Sequence, residues 1–254
     1  MALAAIALAV PAQQRMAFGS DRGGLLLLSA ELDGDAVRIR AENRLAGPVE
    51  ARLVTARGTV ATVVVPALDR IVVGRVPHAS AASADVLATP GDPAATHRDV
   101  EYGWPLQGDQ VRIGQGWGGR HSHHRPDTLH ALDLGTPEGT PVLAARAGIV
   151  MQVEEGFDGG GQAAERDMGK ANYVRVLHDD GSMALYAHLK RDGALAGVGQ
   201  RVRRGDRIGI SGNTGFSSAP HLHFVVQVNR GGRLESVPFR MFGPRGLLRF
   251  TLPR

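Results

Sequence analysis

The chain has 254 residues, 43% of them apolar, 21% charged and 5% aromatic, with 34 glycines and no cysteine. This is material for one large or two modest cores; the missing thiols exclude disulfides and cysteine-held metals, so any zinc must be bound by His, Asp or Glu. A formal net charge of +4 with no run of Lys or Arg gives no nucleic-acid tail, and allows only a weak attraction to an anionic matrix.

The first segment, "MALAAIALAVPAQQ", is apolar and ends on Val10-Pro11-Ala12, an acceptable small-residue cleavage site. It reads as a secretory signal peptide that lacks the usual positive n-region, so export to the periplasm or the exterior is expected. Residues 1–20 are set apart on that ground. No later stretch has the roughly 18 continuous apolar residues of a membrane span.

Residues 21–100 read as short strands: 24–32, 36–43, 49–56, 59–67 and 70–77, separated by Gly, Asp, Asn and Pro. In "VRIRA" apolar and charged residues alternate, the mark of a strand with one wet face. The spacing predicts a small antiparallel β-sandwich, with "ATPGDPAATHRD" (88–99) as linker. His78 and His97 are isolated here and are expected to be solvated.

Residues 101–254 are also strand-rich, over 139–156, 172–189 and 199–215, and predict a barrel-sandwich-like antiparallel sheet; the whole chain is mainly β. "HDDG" (178–181) reads as a hairpin turn, which makes His178 a turn residue. "GFDGGGQAAERDMGKA" (156–171) is a polar, glycine-rich loop of a length that is often functional.

Eight of the ten histidines lie between 121 and 223, so the chemistry is expected in this half. In "SSAPHLHFVVQV" the residues His221 and His223 are two apart on a strand. Their side chains share one face, roughly 7 Å apart along the chain. "GGRHSHHRPDTLHALDLGTPEGTPV" (118–142) adds His121, His123, His124 and His130, and an Asp133 flanked by Ala131, Leu132 and Leu134. An aspartate among apolar residues is costly to bury unless something positive meets it, and a zinc ion would do so. His223 is then a candidate ligand from a distant strand.

The combination "HSHH…ALDLGTPEGTPVLAARAGIV", "LYAHL" and "PHLHF" resembles the M23 zinc metallopeptidases of the lysostaphin and LytM type. The resemblance covers roughly 103–240, through four separated segments in the expected order. It implies an antiparallel groove with one zinc ion held by His123, Asp133 and His223, and with His188 and His221 as catalytic residues. The commonest spacing in the family, His-x3-Asp, would put Leu129 in a ligand position. The sequence instead resembles the branch in which Ser-His follows a Gly-Gly turn and the Asp comes about ten residues later. His123 is chosen on the match at Ser122-His123; His124 and then His121 are the alternatives. His130 stands an odd number of residues from Asp133 and should face the other way.

Such a zinc site implies Lewis-acid polarisation of a peptide carbonyl, with the two further imidazoles exchanging protons with the reacting groups. There is no HExxH helix, no GxSxG and no thiol nucleophile. The resemblance therefore implies a zinc endopeptidase that cuts peptide cross-links of peptidoglycan. The N-terminal sandwich is then free to position the enzyme, cover the groove or bind a regulatory protein partner. The alternative is a metal-free scaffold of the same fold that binds or activates other cell-wall hydrolases. A lipoyl-type carrier needs a Lys at a hairpin tip, which neither Lys170 nor Lys190 provides.

Overall fold

A computed structural model describes residues 15–16, 24–110, 112–167 and 169–253; the expected cleavage site, Val10-Pro11-Ala12, lies outside them. Arg15–Met16 form a short strand against Glu31 and Ala30. No described helix is long and apolar enough to cross a membrane.

The first half is two facing antiparallel sheets. One runs Arg15–Met16, Leu26–Asp33, Ala36–Asn43, Arg70–Pro77; the other Gly58–Val65, Val49–Thr55, Asp85–Pro90. The alternation in Ala36–Asn43 does what its pattern predicts. Val37, Ile39 and Ala41 go inward, while Arg38 and Arg40 turn out to Glu31 and Asp33. Leu26, Leu53, Val65 and Val86 complete this core, each buried side chain contributing about 1.5–3 kcal/mol relative to exposure.

The start of the predicted linker is a strand, not a linker. Thr89 and Ala88 pair with Glu50 and Ala51 at the edge of the second sheet, where a proline such as Pro90 is tolerated. His78 is exposed as expected. His97 is not: it is half-buried, with an Nε2 that meets no partner among the described residues.

The second half is built on a ten-stranded sheet. Its central path runs Gly148–Glu154, Asn172–Leu177, Met183–Ala194, His221–Asn229, Leu132–Gly135, Ile113–Gln115, all antiparallel neighbours. The predicted "HDDG" turn joins Asn172–Leu177 to Met183–Ala194, with Gly181 in the left-handed region that such a turn requires. His178 is a turn residue and also a buried one, its Nδ1 donating to Ala147 O at 2.8 Å. Within the glycine-rich loop, Gly160–Gly161 pair with Gly215–Phe216, and Ala164–Asp167 make one helical turn.

The two halves share a core. Met151 and Met183, on strands of the large sheet, pack with Val37, Ile39 and Val49 of the sandwich. Between them, Asn229 Nδ2 donates to Glu50 Oε2 at 2.9 Å and to Gly91 O at 3.0 Å, satisfying buried polar groups.

Candidate metal centre

Register brings the key residues together. Asp133 pairs with His223, and His223 on its other side pairs with Ala187, so these three share one face of three adjacent strands. Their neighbours Leu132, Leu134, Leu222 and Phe224 point to the opposite face and are completely buried. The apolar–polar alternation of "ALDL" and "HLHF" is thus one dry face and one face onto a groove. Ala187 contributes almost no bulk, which leaves room beside His223.

His188 follows Ala187 and on a regular strand would point away. Its φ of +64° is in the left-handed region, and this kink returns the ring to the groove beside Ala187, His221 and His223. His188 Nδ1 donates to Thr214 O at 2.6 Å, which leaves Nε2 with its lone pair. His221, two residues before His223, likewise donates from Nδ1, to Ala219 O at 2.8 Å.

His123 comes from a tight turn, its N–H donating to Gly119 O at 2.9 Å, and it is fully buried. Its Nδ1 donates to Gly116 O at 2.9 Å, so Nε2 presents a lone pair, 3.1 Å from Asp133 Oδ1. His223 Nδ1 is 2.9 Å from that oxygen and His221 Nε2 3.5 Å. A lone pair aimed at a carboxylate oxygen is repulsive unless a cation lies between them. The donor atoms of His123, Asp133 and His223 all lie within 4.8 Å of one another. Zinc bonds of about 2.0–2.2 Å place tetrahedral ligands roughly 3.4 Å apart, so this donor set fits zinc in size and chemistry.

Burial pushes the Asp133 carboxyl up, but the imidazoles of His123, His221 and His223 outweigh it and hold it far below the usual carboxylate range. Burial, then the neighbouring His221 and His223, push His188 down to about 3, keeping it neutral.

The other histidines are accounted for. His121 is exposed and stacks on Phe216, with ring centroids 5.5 Å apart and planes 12° from parallel. His124 is exposed on the groove wall. His130 faces away, as its odd spacing predicts: Nδ1 donates to Ser236 O at 3.1 Å and the ring meets Trp117 edge-on. Sequence reasoning missed Gln115. Its Nε2 donates to Asp133 Oδ2 at 3.0 Å and to Ser122 Oγ at 2.8 Å, and its Oε1 accepts from His121 N. Gln115 thereby occupies one carboxylate oxygen and leaves Oδ1 for an ion. Nothing in the spacing of "GQGWGG" signals this; it needs the pairing of Gln115 with Asp133 across two strands.

An all-β groove with a His–Asp–His donor set and two further imidazoles has the chemistry of a metal-assisted hydrolase. Residues 128–234 match the family model of peptidase family M23, and this part of the chain is a peptidase family M23 domain. The matched range holds Asp133, His188, His221 and His223 and begins after His123. Among curated relatives, the peptidoglycan DD-endopeptidase ShyA of Vibrio cholerae is 38% identical over 99 residues, 39% of this chain and 20% of that protein. The DD-carboxypeptidase/endopeptidase Mpg of Neisseria meningitidis is 37% identical over 102 residues, 40% of this chain and 20% of that protein. The solved catalytic domain of lysostaphin from Staphylococcus simulans is 32% identical over 47% of this chain and 81% of that one, with a TM-score of 0.37. The chain spans less than a quarter of the length of the curated relatives it matches.

Proposed function

We propose that the protein is an exported zinc endopeptidase that hydrolyses peptide cross-links of peptidoglycan, with zinc held by His123, Asp133 and His223. The observation that carries this reading is the convergence of His123 Nε2 and His223 Nδ1 on one oxygen of Asp133, beside two imidazoles that the ion does not need. The substrate class rests on the likeness to ShyA, a peptidoglycan DD-endopeptidase.

Bound zinc supplies Lewis-acid polarisation of the scissile carbonyl. The chain supplies the rest. His188 and His221 are held by Thr214 O and Ala219 O with Nε2 lone pairs facing the groove. His188 is kept neutral by burial while, against burial, Asp133 pushes His221 up, so the ring of His221 accepts a proton from the attacking water and returns it to the leaving amine. Gln115 keeps Asp133 turned toward the ion. Balance is simple: water adds across one amide, giving a carboxylate and an amine.

The test is digestion of purified peptidoglycan by zinc-loaded protein, with fragments identified by mass spectrometry. Cleaved cross-links that disappear on chelation and return with zinc support the reading. A protein that binds no zinc and releases no fragments is the scaffold.

A further inference from the structure

Two clefts meet over Asp133 and His221. One, of about 380 Å³, runs past His188, His223, His124 and Arg125; the other, of about 680 Å³, runs past Gln110, Arg112 and Thr136. Their charges differ. Arg125 is engaged by Asp127, through Nε to Oδ1 at 3.0 Å and Nη2 to Oδ2 at 2.6 Å. Arg112 is exposed, and its guanidinium has neither hydrogen bond nor ion pair among the described residues. Among the described residues that line its cleft the only carboxylate is that of Asp133, which already faces three imidazoles and Gln115. The larger cleft therefore carries one uncompensated positive charge.

The side chain's position is built into the sheet. Gly135 N–H donates to Arg112 O at 2.8 Å, and Gly135 is the register partner of His221. A Cβ on Gly135 would lie 3.2 Å from Arg112 Cδ, so the glycine leaves open the path that the arginine stem takes across the strand. An unpaired guanidinium beside a peptide groove is suited to a planar carboxylate, which it can grip with two parallel N–H donors.

We propose that Arg112 is a specificity residue that binds a free carboxylate of the peptide lying on its side of the scissile bond. This deepens the endopeptidase reading and rests on it. The groove then reads charge on one side only, which fixes the direction in which a peptide lies across Asp133.

The experiment uses two cross-linked muropeptides identical except for carboxylates in one and carboxamides in the other. Binding to the zinc-free full chain is measured by calorimetry, and cleavage by the zinc-loaded chain is measured alongside. Wild type should prefer the carboxylate form by about tenfold in binding and in kcat/KM, the scale of one exposed charge-assisted bidentate contact. Arg112→Gln should bring that ratio near one, and Arg112→Lys should restore part of it. A ratio unchanged in Arg112→Gln, or no preference in wild type, overturns the proposal. Discrimination in binding without cleavage of either peptide leaves the carboxylate site standing and removes the endopeptidase reading.

Discussion

The rings of His188 and His221 stand 4.6 Å apart, and each is held by its Nδ1 on a backbone carbonyl. Neither needs an ion to keep its place. His221→Ala is expected to retain near-normal zinc content and to lose turnover by about 10²–10⁴-fold, the size of a lost acid–base contribution. His223→Ala removes a donor 2.9 Å from Asp133 Oδ1 and should lose both metal and turnover. Zinc content and hydrolysis rate of the two purified proteins check this; a metal-free or fully active His221→Ala protein contradicts it.

The three histidines of the 118–124 turn should separate cleanly. His123→Ala is expected to abolish stoichiometric zinc binding, because its Nε2 is already fixed 3.1 Å from Asp133. His121→Ala and His124→Ala should keep most of the metal, one ring resting on Phe216 and the other standing on the exposed groove wall. Metal analysis across the three variants decides it. Equal loss in all three would mean the turn collapses instead of losing a ligand.

Gln115→Leu leaves Asp133 Oδ2 without its amide donor and should weaken zinc binding by about 10–100-fold, as for other groups that orient metal ligands. Asp133→Asn should weaken it further. Competition with a chromogenic chelator gives both dissociation constants. An unchanged constant in Gln115→Leu would show that the carboxylate orients itself.

Burial pushes His178 down to about 4, and its Nε2 has no partner among the described residues to receive a second N–H. In the unfolded chain the ring takes up its proton near pH 6.5. The unfolded state thus binds more protons between these values, and stability falls as pH drops through this window. The loss is about 3 kcal/mol by pH 4. Urea unfolding from pH 7.5 to 4 should show this slope in wild type and a shallower one in His178→Asn. Identical slopes would place the pH dependence elsewhere.

Much of the site could be read from the sequence because it follows from period two. His221 and His223 had to share a face, and Asp133 between leucines had to meet a cation. His130 had to turn away. What stayed hidden depends on pairing between distant segments. Gln115 becomes relevant only once its strand lies against Leu132–Gly135. Arg112 reaches the groove only across Gly135. His188 enters it through a left-handed backbone that no propensity for a strand residue predicts. The edge strand Asp85–Pro90 was masked by its one proline and its small residues, and shows itself only through its ladder to Val49–Thr55.

Two methionines set how the chain can be cut. A Cβ at Gly47 would lie 2.8 Å from the Met151 thioether, and one at Gly91 would lie 2.7 Å from Met183 Cε. These glycines are sockets on the sandwich side for side chains anchored in the large sheet. The boundary drawn at residue 100 therefore passes through shared hydrophobic packing, not through a hinge. A fragment trimmed to 101–254 would present Met151, Met183 and Leu177 to water as one sticky face, with Asn229 stripped of Glu50 and Gly91. Any swing of the sandwich over the groove would have to break this packing first, because the same side chains bury it against the sheet.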